Sequence, residues 1–344
     1  MRALLVVALS LASGCSGNDA SSSPDPSPPD ASPVDAATYD VVSDRSVDAI
    51  ADTARPDVHV EAGTYLFNLD AAPFPNTGHP DVAVHVPSGF DPLDRPGVIV
   101  FFHGFSNCVA NVVGAVNSPC TSGGPARPAL HLAEQLEAAR VNALLVALQL
   151  RYDMRSGDVG QLAQPGQLRL LLSELLVGPL APVLGYGLTV EQLDRVVVAT
   201  HSGGYRAAAA VVQTGGVASL FEVDLYDSLY GEMATYDAWV LANLARFGPN
   251  RADGVRFTDV YTAGGGTAVY SRAMASRVAG WIGDAGLPWR DAALAVDDTT
   301  ATLTDAQVAA PLLFKLTAVA HDDIPRVTFE RFARAAGFSP AGAR

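Results

Sequence analysis

Ser202 stands where a serine can become a nucleophile. The apolar run Arg195-Val196-Val197-Val198-Ala199 leads through Thr200 and His201 into it. Gly203 and Gly204 follow, and a helical pattern runs from Tyr205 to Val212. A sharp strand-to-helix turn lifts a hydroxyl above a sheet, and it needs small neighbours because strand and helix nearly collide there. The free N–H groups of the helix N-terminus favour the negative charge that builds up when such a hydroxyl attacks an acyl carbon. A serine hydroxyl is a weak nucleophile until a base takes its proton and a third group orients that base. The competing reading of Ser202-Gly203 is a plain turn, and what argues against it is the strand before and the helix after.

The elements that would position this serine follow from the apolar pattern. Continuous apolar runs at Gly97–Phe102, Ala143–Leu148 and Arg195–Ala199 fit strands buried on both faces. Further strands are expected at Tyr65–Leu69, Asp81–Val86, Phe221–Tyr226, Val255–Tyr261 and Leu312–Ala320. Helices are expected at Pro128–Ala139 and Gln167–Leu176, and over 235–246, 267–281 and 326–336. Strands alternating with helices require crossover connections, and so a mostly parallel central sheet with helices on both faces. No second linker interrupts residues 63–344, which read as one α/β domain.

Here a family resemblance enters. Thr200-His201-Ser202-Gly203-Gly204 resembles the G-x-S-x-G elbow of the α/β-hydrolase superfamily, with Thr200 in place of the first glycine. Phe102-His103-Gly104-Phe105 resembles that superfamily's His-Gly turn, which carries one oxyanion-hole donor. The resemblance implies backbone donors at Phe105 and Gly203, and makes His103 structural. It also implies the chain order serine, acid, histidine. Of the seven histidines only His321 follows Ser202, at the end of an apolar strand, which makes it the candidate base; a solvent-facing helix cap is its plainer reading. The candidate acid is Asp227, at the end of the strand after that of Ser202, with Asp237 as runner-up. Asp259 falls in mid-strand, and Asp322 and Asp323 are expected to cap the helix opening at Pro325. Gly264-Gly265-Gly266-Thr267 lacks the lysine of a phosphate-binding loop and reads as a helix start lining the pocket. Arg151, Asp153 and Arg155 follow a strand, lining the site or forming a solvated loop.

The remaining features concern where the protein works. Arg2 precedes a short apolar run, too short for the ~20 residues of a spanning helix, which gives the layout of an export signal over residues 1–14. Ala12-Ser13-Gly14-Cys15 resembles the bacterial lipobox. That resemblance implies cleavage before Cys15, acylation there and, in a Gram-negative cell with Ser16 next, outer-membrane sorting; an ordinary signal peptide cut nearby is the alternative. Residues 15–62, rich in Ser, Pro, Asp and Ala, read as a disordered tether. An oxidising compartment would join Cys108 to Cys120, the alternative being two buried thiols. The net charge of -14 argues against a nucleic-acid partner. No cofactor and no metal cluster is indicated. The sequence thus reads as an envelope-anchored serine hydrolase acting on an ester or related acyl bond of a small-molecule substrate. The rival is a non-catalytic surface-binding lipoprotein on the same scaffold.

Overall fold

A computed structural model describes residues 58–342 except 76–78, 152, 154–157, 249–253, 288 and 290–292. The signal segment, Cys15, most of the tether and Arg155 lie outside the described residues. Among the described residues eleven strands form, β1 (Gly63–Phe67), β2 (Val82–Val86), β3 (Gly97–Phe102), β4 (Ser118–Pro119), β5 (Ala126–Arg127), β6 (Ala143–Leu148), β7 (Arg195–His201), β8 (Leu220–Tyr226), β9 (Arg256–Thr262), β10 (Leu294–Asp297) and β11 (Leu312–Thr317). Nine form one sheet in the order β1-β2-β6-β3-β7-β8-β9-β11-β10, while β4 and β5 make a separate small hairpin. The β1–β2 and β2–β6 pairings are antiparallel, and the rest of the large sheet is parallel. The expected mostly parallel α/β architecture is what forms.

Alternation along the strands splits the core between two faces. On one face Val98, Val100, Val196 and Val198 pack with Leu171, Leu172 and Leu175 of α3 (Gln167–Val177) and Ala208 of α5 (Tyr205–Thr214). Farther along that face, Val223, Phe257 and Phe314 pack with Tyr236 of α6 (Met233–Ala242) and Met274 of α7 (Thr267–Asp284). On the other face Ile99, Phe101, Val197 and Ala199 meet Leu136 of α2 (Leu132–Ala139), and Phe329 and Phe332 of the last helix, Ile324–Ala335. Burial of each such side chain contributes about 1.5–3 kcal/mol. This two-sided cover explains why β3 and β6 carry apolar residues throughout.

Some boundaries differ from expectation for local reasons. The last long strand stops at Thr317, not Ala320, and the Thr317 hydroxyl accepts from the Val319 N–H at 3.1 Å, turning the chain. The helix expected from Pro128 starts at Leu132. Proline favours an extended residue before it, and that residue, Arg127, belongs to β5. Asp322 and Asp323 do not cap the last helix through their side chains. Asp323 sits at its N-cap with φ -97 and ψ -13, a helical rather than extended backbone, and pairs with Arg326 at 2.8 Å.

Candidate active site

Strand β7 runs directly into Ser202, whose backbone is forced to φ +53. Gly204 permits this turn. A Cβ there would lie 2.6 Å from Thr200 Oγ1 and 2.7 Å from the Phe102 carbonyl oxygen. Thr200, where the motif has glycine, has a use of its own. Its buried hydroxyl lies 3.2 Å from that of Ser228, which donates to the Ser202 carbonyl at 2.9 Å. The turn is therefore tied to the loop after β8.

That loop also supplies the carboxylate. Asp227 is 1% exposed, and its Oδ2 accepts from His321 Nδ1 at 2.7 Å. Oδ1 takes the Thr262 N–H at 3.0 Å, Oδ2 takes the Thr262 hydroxyl at 2.7 Å, and the Thr267 hydroxyl donates to Oδ1. Burial alone would raise this carboxyl, but the bonds from His321, Thr267 and Thr262 hold it below the usual carboxylate range. Burial likewise pulls His321 down, yet the bond to and charge of Asp227 leave it raised above 6.5. Asp237 pairs instead with Arg277 at 2.8 Å. The glycine run ends in Gly266 at φ +96, which opens α7 and aims Thr267 at Asp227. Arg151 and Asp153 pair with each other at 2.6 Å on an exposed loop.

The second strand-end turn closes on Ser202 from the other side. A Cβ on Gly104 would meet Ser202 Cβ at 2.7 Å. Phe105 and Ser202 line one pocket of about 60 Å³, and the Phe105 N–H has no acceptor among the described residues. Gly203 is the second residue of the helical turn Ser202–Gly204, where N–H groups lack intrahelical acceptors. His103 is structural. Its Nε2 accepts from the Leu150 N–H at 2.9 Å, and Nδ1 donates to the Gly104 carbonyl at 2.8 Å. Burial lowers it to about 4, so it stays neutral while pinning this turn.

No protein-family model and no curated protein matches the sequence. The fold is similar to that of a feruloyl esterase module from Clostridium thermocellum complexed with sinapinate. That likeness has 10% identity over 82% of this chain and 89% of that one, with a TM-score of 0.43. An esterase of the planctomycete Thermogutta terrifontis with propionate bound is similar at 12% identity, over 80% of this chain and 92% of that one, with a TM-score of 0.40.

Two features of the site were not foreseen in the sequence. Thr262 and Thr267 hold the carboxylate from strand β9 and helix α7. His201, 4% exposed, packs against His321 with ring centroids 4.6 Å apart and tilted by 37°, and donates from Nε2 to the His321 carbonyl at 3.0 Å. Burial, then the neighbouring His321, lowers His201 to about 3, so it adds no charge beside the candidate base. Among the described residues, His201, His321 and Asp322 form the one cluster of metal-ligating types, with donor atoms within 4.8 Å. One nitrogen of each ring is already committed to the bonds above. Ser202 Oγ makes no hydrogen bond among the described residues. A catalytic contact of this kind is often long until substrate binds.

Proposed function

We propose that this chain is a serine hydrolase that cleaves an ester or related acyl bond through Ser202, His321 and Asp227. The observation that carries the reading is the His321 Nδ1–Asp227 Oδ2 bond of 2.7 Å, with the His321 carbonyl bonded at 3.0 Å to His201, the residue before a serine held at φ +53 where a parallel strand meets a helix. Asp227 fixes the proton of His321 on Nδ1 and leaves Nε2 free to act as base. His321 takes the Ser202 proton as Oγ attacks the acyl carbon. The N–H groups of Phe105 and Gly203 receive the oxyanion, each such donor being worth roughly 3 kcal/mol. The imidazolium, stabilised by Asp227, then protonates the leaving group. Water repeats the sequence on the acyl-enzyme and releases the acid.

The test is labelling with a fluorophosphonate, followed by mass spectrometry of the adduct. Wild type should label at Ser202 and hydrolyse short-chain 4-nitrophenyl esters, and Ser202→Ala should do neither. Full ester turnover by Ser202→Ala would refute the reading. A wild type that neither labels nor turns over any ester would favour the binding-protein rival.

The same proposal places the enzyme on the bacterial envelope. Support comes from the basic residue, apolar run and Ala12-Ser13-Gly14-Cys15 in the sequence. The Cys108–Cys120 bridge, with Cα atoms 5.7 Å apart, fits an oxidising compartment. Wild type should partition into membranes with an acylated Cys15, and Cys15→Ser should not. An unmodified Cys15 in the mature N-terminal peptide would refute the anchor.

A further inference from the structure

Arginines in this acidic chain find partners almost everywhere. Buried Arg256 faces Glu222 at 3.3 Å, and exposed Arg169 and Arg272 reach Glu191 and Asp298 at 2.6 and 2.8 Å. Among the described residues only Arg127 and Arg140 have neither an ion pair nor a hydrogen-bond partner for the guanidinium. Arg140 is exposed on the outside, at the end of α2. Arg127 is half-buried and lines the same pocket as Ser202.

Its position is built, not incidental. Strand β5 pairs Arg127 with Ser118 of β4. Ser118 is fixed by fully buried Asn111, whose Nδ2 donates to the Ser118 carbonyl at 2.9 Å and whose Oδ1 accepts the Ser118 N–H at 3.1 Å. The Cys108–Cys120 bridge closes the same segment. Asn107 donates to the Pro128 carbonyl at 3.3 Å, just beyond Arg127. An arginine whose backbone is ordered in advance loses less freedom when it binds an anion, and its planar fork matches a carboxylate. Exposed Asp322 lines the pocket beside His321 and would repel an anion on that side.

The geometry points to an anion subsite at Arg127: the substrate carries a carboxylate, and Arg127 binds it so that the scissile acyl carbon is presented to Ser202. This inference rests on the hydrolase reading and deepens it. Arg127 selects the substrate and the way round it lies. No bond is made or broken at the guanidinium.

The test compares matched esters on the full chain with its disulfide formed. One pair is 4-nitrophenyl hexanoate and mono-4-nitrophenyl adipate, with the charge on the acyl side. The other is phenyl butyrate and 3-carboxyphenyl butyrate, with the charge on the leaving group. The ratio of kcat/KM for the anionic ester to that for the neutral one, compared between wild type and variant, cancels the esters' differences in intrinsic reactivity. In Arg127→Gln this ratio should fall at least tenfold for one pair, chiefly through KM. Arg127→Lys should keep most of it, and added salt should shrink it in wild type. Ratios unchanged within twofold in both pairs would overturn the subsite while leaving the hydrolase reading in place. If wild type cleaves none of the four esters, the hydrolase reading fails, and binding decides the subsite alone. Calorimetry with monomethyl adipate should then give a Kd at least tenfold weaker for Ser202→Ala/Arg127→Gln than for Ser202→Ala, and equal values would overturn it.

Discussion

On the proposed hydrolase reading, Asp227→Asn should cost more activity than Asp227→Ala, and the reason lies in one backbone N–H. Oδ1 of Asp227 accepts from the Thr262 N–H at 3.0 Å, and a backbone donor there cannot turn away. The amide oxygen of the substituted side chain must take that side, which leaves its NH2 on the Oδ2 side. Thr262 Oγ1 tolerates this, because it can accept from the amide while donating to the Gly264 carbonyl at 3.1 Å. His321 does not. A donor facing Nδ1 forces its proton onto Nε2, the atom that must accept from Ser202. Restoring the productive tautomer sets two buried donors face to face, at about 1–3 kcal/mol. Loss of the charge-assisted bond to the imidazolium removes about 1.5–3 kcal/mol more. Together these give a kcat some 10²–10⁴-fold below wild type. Alanine forfeits only the second contribution, for a loss of about 10–10². The assay is kcat on a 4-nitrophenyl ester for both variants, with 15N NMR of the His321 ring and melting curves to confirm folding. An Asn variant as active as the Ala variant, or one with its His321 proton on Nδ1, would refute the reasoning.

Other outcomes follow from single contacts. Gly104→Ala should cut kcat by about 10²-fold with little change in Tm, because its Cβ would lie 2.7 Å from Ser202 Cβ and displace the oxyanion turn; an unimpaired variant would rule this out. Since a base must be neutral and Asp227 raises His321, kcat/KM should climb with pH through a midpoint above 6.5. That midpoint should drop in Asp227→Ala, and a limb that stays put would show that another group titrates. Fully buried Asp259 is pushed up by desolvation to about 8. The folded state then holds a proton that the unfolded chain releases near pH 4, so wild type should lose about 1.4 kcal/mol per pH unit relative to Asp259→Asn between pH 5 and 7. Parallel urea-stability profiles for the two proteins would contradict that.

Much of this arrangement could be read from the sequence because buried parallel strands leave a plain signature. Val196–Ala199 is apolar on both faces, and Leu312–Leu316 is apolar but for Lys315, so the residues just beyond them, Ser202 and His321, had to emerge at the carboxyl edge of the sheet. Asp227 followed from the same logic, as the residue next after β8. What stayed hidden depends on tertiary proximity. Thr262 and Thr267 flank a glycine run, and nothing in their spacing shows that both hydroxyls converge on a residue 35 and 40 positions earlier. His201 looked like a variable position within a motif, and its bond to the His321 carbonyl spans 120 residues. Strand β10 escaped because it is a four-residue edge strand with no fully buried position.

The turn at Ser202 also bears on how the protein can change. Of seven described non-glycine residues at positive φ, Ser106, Ser202 and Asp227 stand at the site. Such a backbone costs an L-residue on the order of 1 kcal/mol that glycine is spared. Replacing Ser202 by glycine would relieve the strain and delete the hydroxyl proposed as the nucleophile. A library of this protein ranked by heat resistance alone would therefore tend to enrich sturdier, inert descendants, and only continued demand for turnover would keep a serine at that bend.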